Sequence, residues 1–450
     1  MRLTNNTIHS ISKSSNIRMG LSYAKESHAE FFNRFSLCQD RIKDIFEIEK
    51  GTSITEAQAV EGNIPVVAGG KDYAYLHNES NRPQGCITIS ASGANSGFVN
   101  YWDVPIWASD CVTLKSKDED KYLTKFLYYA LRLIQSDIYL LQKGSDQPHV
   151  YASDIQYIKV PAVSVPIQKK ALAEAHAIEK EIETIESSIK KNGEIIDDVF
   201  NREFRFAMDE FNRTKQAKRF SANYRTLSNN ADLRFSAKFH RDSGNFVMQE
   251  LMNRTDKKIK HYLAEPIVLG ASVSPSDYSD DGEFCYISMA TIKNWKFDLE
   301  SASTVSKEYS DSKQAKTVRK NDIILARSGE GTIGKVALID DDELQGVFAD
   351  FTMRIRLKDY NPEFAYYYFR TTYIQYLIEI YKKGLGNNTN IFPIVVREFP
   401  MLDISLEEQQ RIVDKIHAEI AKQDEIKKQI ESLRGQIDVM IQDVLTQNQG

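Results

Sequence analysis

The chain has 450 residues, of which 42% are apolar and 27% charged, and a formal charge of −5. That length holds about two or three domains, and the balance describes a soluble globular protein with ample material for cores. The charge excludes a protein that coats nucleic acid indiscriminately but not a DNA reader with local basic patches, since net charge reports only the average potential.

The opening stretch, "MRLTNNTIHSISKSSN", lacks the apolar run of a signal peptide, and no segment approaches the roughly 18 apolar residues of a membrane span. Cys38, Cys86, Cys111 and Cys285 are scattered, with no CxxC pair, so neither a zinc site nor a disulfide framework is expected. Together these features predict a cytoplasmic protein.

A leader, 1–38, contains "NIRMGLSYAKESHAEFFNRF". The next segment, 39–165, reads as a mixed α/β domain. In it "GCITISASGANSGFV" (85–99) is a β-like run, then Ser92-Gly93, a glycine loop and another strand. "SDCVTL" (109–114) follows, then a helix rich in tyrosine and leucine over 121–135. A stop is expected at Lys143-Gly144, because glycine readily terminates a helix. The polar loop "SDQPHVYAS" and the short strand "YIKVP" complete the domain.

The spacing then changes to a heptad. Over 166–205, Ala171, Ile178, Ile185, Asn192 and Val199 take one seam position, and Ala175, Ile182, Ile189 and Ile196 the other. A period near 3.5 held over several heptads predicts a coiled coil. A linker and second leader, 206–254, carry the basic stretch "NRTKQAKRFSANYR", read as a solvated connection, and "NADLRFSAKFHRDSGNFVMQEL", whose Arg234 corresponds to Arg18.

The second half, 255–405, repeats the first. "NDIILARSGEGTIGKV" (321–336) matches the earlier strand and glycine loop, and "ADFTMRI" (349–355) matches "SDCVTL". A tyrosine-rich helix over 363–381 ends at Lys383-Gly384, followed by "LGNNTNIFP" and "REFP". A second heptad run fills 406–447, with Ile412, Glu419, Ile426, Leu433 and Met440 on one seam position and Ile416, Gln423, Ile430 and Ile437 on the other. His176-Ala177 and His417-Ala418 mark the shared register, 241 residues apart. That register predicts two helices packed on each other.

Gly329, Gly331 and Gly334 spell GxGxxG, and Lys335 nearly completes a Walker A. Both motifs need a helix to start here, because its N-terminal amides hold phosphate. "KVALID" reads instead as a strand, and the Walker serine or threonine is Val336. The kinase pattern GxGxxGxV fails for want of HRD and DFG segments. "NPEF" at 361–364 lies close to the NPPF element of adenine-N6 methyltransferases, but Glu363 replaces the second proline and no glycine-rich AdoMet segment precedes it. A helix start is expected there. No His, Asp, Glu or Cys cluster has nucleophile or metal spacing, so no catalytic and no metal-binding residue is predicted.

Reading DNA requires paired donors and acceptors for base edges and cations for phosphates. The first half offers Ser92, Asn95, Lys143, Ser145, Gln147, His149 and Tyr151. The second offers Arg327, Ser328, Lys335, Lys382, Lys383, Asn387, Asn388 and Asn390.

"KGSDQP…DIQYIKVP" leading into one long helix, "ISLEEQQRIVDKI" leading into the other, and the two "SG…G.V" loops resemble the specificity subunit of type I restriction-modification systems over nearly the whole chain. The "VPIQKK" stretch departs from the family's usual "LEEQ", which 406–409 keep, while His149-Val150 and "GLGNNTNIFP" depart elsewhere. The resemblance implies an α+β fold: two mixed α/β target-recognition domains joined by two long antiparallel coiled-coil helices in a pseudo-two-fold internal repeat. It also implies a non-catalytic subunit that reads a bipartite, asymmetric site in double-stranded DNA. Such a subunit binds two methyltransferase subunits, restriction subunits join that core, and AdoMet, ATP and Mg belong to the partners. Two other readings are an enzyme using nucleotide at Gly329–Lys335, which ATP or AdoMet binding to the isolated chain would reveal, and a coiled-coil scaffold without a DNA role.

Overall fold

The computed structural model describes residues 40–447 except 145, 222–223, 226–233, 235, 281, 283, 330 and 385–387. The leader 1–38 with Arg18 and Cys38, and the loop residues Ser145 and Asn387, therefore lie outside the described residues. The chain divides into two compact units, one from Met1–Ser188 with Ile426–Gly450, the other from Ile189–Glu425.

The first unit holds strands β1 (Phe46–Lys50), β2 (Ile64–Val67), β3 (Tyr75–His77), β4 (Cys86–Ser90), β5 (Val99–Trp102), β6 (Trp107–Ala108) and β7 (Cys111–Ser116). Four of them form an antiparallel sheet in the order β1-β7-β4-β5, and three form a second sheet, β3-β2-β6, in which β2 and β6 run parallel. Every residue of the central strand β4 is buried, including the polar Thr88 and Ser90. A helix, Thr124–Leu133, lays Phe126, Leu127, Ala130 and Leu131 into the core.

The second unit holds β8 (Val268–Leu269), β9 (Phe284–Ile287), β10 (Ile292–Lys293), β11 (Lys296–Phe297), β12 (Thr304–Val305), β13 (Ile323–Ala326), β14 (Val336–Leu338), β15 (Gly346–Phe348) and β16 (Thr352–Ile355). The order β14-β13-β16-β8 repeats β5-β4-β7-β1, and β12-β9-β15 repeats β3-β2-β6, with β9 and β15 again parallel. Helices Pro362–Arg370 and Thr372–Tyr381 bury Phe364, Tyr368 and Tyr373 completely or nearly so. The buried Tyr368 and Tyr360 hydroxyls donate to the carbonyls of Pro400 and Leu402, each at 3.0 Å, so these phenols are not left unsatisfied. At "NPEF" the Asn361 side chain caps a helix, accepting from the amides of Glu363 and Phe364 at 2.9 and 3.0 Å.

Each tyrosine-rich helix, expected as one piece, is two. The first breaks at Ile134 and the second at Thr371, equivalent places in the repeat. "YIKVP" and "REFP" contribute single bridges, Lys159 to Arg41 and Pro400 to Lys258, rather than full strands.

The first heptad run also divides, into Val165–Glu186 and Asn192–Phe204, whereas the second is continuous over Leu406–Gln447. Local competition explains the break: the Ser187 and Ser188 hydroxyls donate to the carbonyls of Thr184 and Ile185 at 2.7 and 2.6 Å, and Asn192-Gly193 follows. Gln423, the polar residue in the second seam, accepts the N–H of Lys190 at 2.9 Å, so it satisfies backbone that the break exposes. In the second unit Lys190 meets Gln423, while Glu203 meets Arg411 and Lys415, an antiparallel pairing. In the first unit Glu186 pairs with Arg434 at 2.8 Å, and Ala171, Ala175, Ile182, Leu433 and Ile437 are buried. Near its end the second run departs from the heptad. Ile441 and Leu445 are buried, and Met440 is only half-buried.

Candidate nucleic-acid interface

In both units the glycine loop and the polar loop close on each other in the same way. His149 bridges Ser92 and also Lys143; Asn390 bridges Ser328 and also Lys383. The rung is completed by Val150 N–H donating to Ala91 O at 3.0 Å, and by Ile391 N–H donating to Arg327 O at 2.9 Å. Each polar loop is thus tied at its neck.

The glycines permit this closure. Gly93 and Gly97 have φ of 81° and 89°, and Gly329, Gly331 and Gly334 have 86°, 80° and 88°, values that side chains rarely adopt. After the second loop comes β14, not a helix, so no helix N-terminus is available for a phosphate. The dinucleotide and Walker readings fail on that geometry.

Two glutamines that sequence reasoning missed hold these loops. Gln135 donates to Gly97 O at 2.8 Å and accepts from Val99 N at 2.9 Å. Gln375 donates to Gly334 O at 2.9 Å and to Phe369 O at 2.7 Å. Gln135 directly follows the break at Ile134 and Gln375 lies in the first turn after the break at Thr371; they are 240 residues apart, so extending the repeat would have found them. Gln168 and Gln409 also correspond: each fixes the start of its spacer helix, accepting from Leu123 N and Asn361 N at 2.9 and 2.8 Å. The departure "VPIQKK" therefore keeps the glutamine that packs.

The predicted site residues fall into two groups. Several are committed to the scaffold. Ser92 donates to Asp110, and Ser328 donates to Thr389 O at 3.1 Å. Lys143 pairs with Asp154 at 3.0 Å, and Lys382 with Glu379 at 2.7 Å. Lys383 closes the loop neck through its backbone, with N–O distances of 2.8 and 2.7 Å to Asn390. Arg327 donates from Nε to Asp350 O at 2.8 Å and from Nη1 to Asn390 Oδ1 at 2.9 Å, while Asn390 Nδ2 donates to Asn388 O at 3.1 Å. These bonds leave Arg327 and Asn390 fewer free donors and acceptors for a base edge.

The others remain presented. Gln147 and Asn388 are exposed in the two polar loops, and their side chains make no described hydrogen bond. Asn95 and Lys335 are half-buried in the glycine loops. His149 stacks on Tyr151 with centroids 6.0 Å apart. Beneath the second loop, Arg234 donates to the carbonyls of Tyr381 and Lys382, capping the C-terminus of helix Thr372–Tyr381. Burial pushes the Tyr381 phenol up from its ordinary pKa, and the Arg234 guanidinium opposes that shift. Among the described residues no His, Cys, Asp or Glu group has the arrangement of a metal site.

The model of the type I restriction modification DNA specificity domain matches residues 39–193 and 267–433. A putative type I specificity subunit of Mycoplasma genitalium is 26% identical over 178 residues, 39% of this chain and 45% of the relative. The match therefore spans a little under half of that relative's length. The EcoBI specificity subunit of Escherichia coli is 22% identical over 358 residues, 78% of this chain and 71% of the relative. The crystal structure of a type I S subunit from M. genitalium is 16% identical, with 90% of this chain and 95% of that one covered and a TM-score of 0.39. With two matched segments that together exceed half of its length, the chain belongs to the type I restriction modification DNA specificity family.

Proposed function

We propose that the chain is the sequence-reading subunit of a type I restriction-modification complex, with each half reading one part of a split, asymmetric site in double-stranded DNA. The observation that carries this reading is the repeated loop closure, which leaves one exposed amide side chain, Gln147 or Asn388, in each polar loop. A carboxamide presents a donor and an acceptor side by side, the pattern that matches an adenine edge. Residues 39–165 and 255–405 are the reading domains, and 166–205 with 406–447 the spacers. Two methyltransferase subunits and restriction subunits supply catalysis, with AdoMet, ATP and Mg bound there. The chain itself turns over no substrate and works in the cytoplasm; among the described residues no helix is long and apolar enough to cross a membrane.

The test is binding. Mixed with its methyltransferase partner, the chain should shift a duplex carrying its motif, and the isolated chain should bind neither ATP nor AdoMet. Lys335→Ala should leave the complex's ATP use intact on DNA it still binds. Removing one phosphate contact would make the slope of log K against log salt shallower by about 0.9. ATP hydrolysis by the isolated chain, abolished by this substitution, would refute the reading.

A further inference from the structure

Positions 151 and 392 occupy the same place in the two halves, 241 residues apart. Each follows the buried residue, Val150 or Ile391, whose N–H closes the rung onto the glycine loop. Backbone there is extended, so side chains alternate and positions two apart share a face. Tyr151 therefore lies beside His149, as their stacking records, and Phe392 lies on the side of Asn390. Both aromatics are exposed, Tyr151 by 44% and Phe392 by 39%. In the second unit Phe351, 46% exposed, lies under the Arg327 guanidinium at 5.8 Å, and Ile394 is 70% exposed.

A single exposed apolar side chain needs no explanation. Here one recurs at one register in both halves, each time at the end of the polar loop that exposes Gln147 or Asn388. The methyl at C5 of thymine is the apolar feature among the donors and acceptors of the major groove, and aromatic side chains suit it. We propose that Tyr151 and Phe392 are the apolar base contacts of the two halves, each taking the C5-methyl edge of a thymine in its half-site. Ile394 and Phe351 are further exposed apolar side chains of the second half. The proposal rests on the DNA-recognition reading above.

The experiment uses the assembled complex and duplexes of its own motif in which each thymine in turn is replaced by deoxyuridine, which lacks the methyl. One such replacement in each half-site should weaken wild-type binding roughly fourfold, the transfer value of one methyl group. Phe392→Ala should weaken binding to the natural duplex and abolish the deoxyuridine effect in the second half-site alone. Tyr151→Ala should do the same in the first. Both side chains are exposed, so the unfolding midpoint should not move. A half-site without thymine, or variants that keep the full deoxyuridine effect, would overturn the proposal. A complex with no preference for its motif over unrelated DNA would instead refute the recognition reading itself.

Discussion

Deleting residues 178–184 together with 426–432 is expected to leave both recognised half-sites unchanged and shorten the gap between them by about 3 base pairs. Seven residues at about 1.5 Å each remove roughly 10 Å of helix, and DNA rises about 3.4 Å per base pair. Whole heptads preserve the seam, because Ile185 then takes the place of Ile178 and Leu433 that of Ile426. Glu186 slides to the position of Glu179, which accepts from Lys125 and Tyr129, and so inherits both partners. Gln423 keeps its hold on Lys190. Deleting 178–184 alone shifts one helix against the other and should abolish the cooperative unfolding transition. A folded double deletion that methylates only the original spacing would remove the helices from the role of ruler.

Gly384→Ala should erase the second half-site while leaving the first intact. Gly384 has φ of 105°, where a side chain is strained, and an added Cβ would sit 2.2 Å from the carbonyl oxygen of Asn388. Strain of this kind costs about 1–3 kcal/mol before the clash is counted, and the clash is with backbone that cannot rotate aside. The loop neck at Lys383 and Asn390 must therefore open, and Asn388 loses its place. Gly144→Ala is the counterpart in the first half, with φ of 100° and a Cβ 2.7 Å from Gln147 O. Gly331→Ala is the control: its φ is 80°, but nothing lies within 4 Å of the added atom. Binding to duplexes with one half-site scrambled measures each effect separately. Equal losses for Gly331→Ala and Gly384→Ala would mean that the clash is irrelevant.

Much of this architecture was legible because the chain repeats. Two copies of strand, glycine loop, tyrosine-rich helix and Lys-Gly stop defined the order of elements, and both sheets recur in the same strand order. The heptad seam was readable because burial is periodic: of its first-run positions only Asn192 is exposed, and it opens the second helix piece. The break itself was not readable from periodicity, since it arises where Ser187 and Ser188 compete for backbone carbonyls. Nor was the difference between committed and presented polar residues. Arg327 and Asn390 are 63 positions apart, and only folding brings the guanidinium to the amide. Phe392 is not legible from hydrogen-bonding capacity, because its ring carries neither donor nor acceptor, although Tyr151 stands at the same register.

Genome-wide mapping of methylated sites in cells carrying the wild-type chain, Gln147→Ala or Asn388→Ala tests the claim of two independent readers most directly. A carboxamide bidentate to a base is worth on the order of 1–3 kcal/mol of discrimination, enough to turn one position of a motif degenerate. Gln147→Ala should relax one position in the first half-site and leave the second half-site and the spacing unchanged. Asn388→Ala should do the reverse. Degeneracy in both halves from either substitution, or an unchanged motif in both variants, would contradict the account.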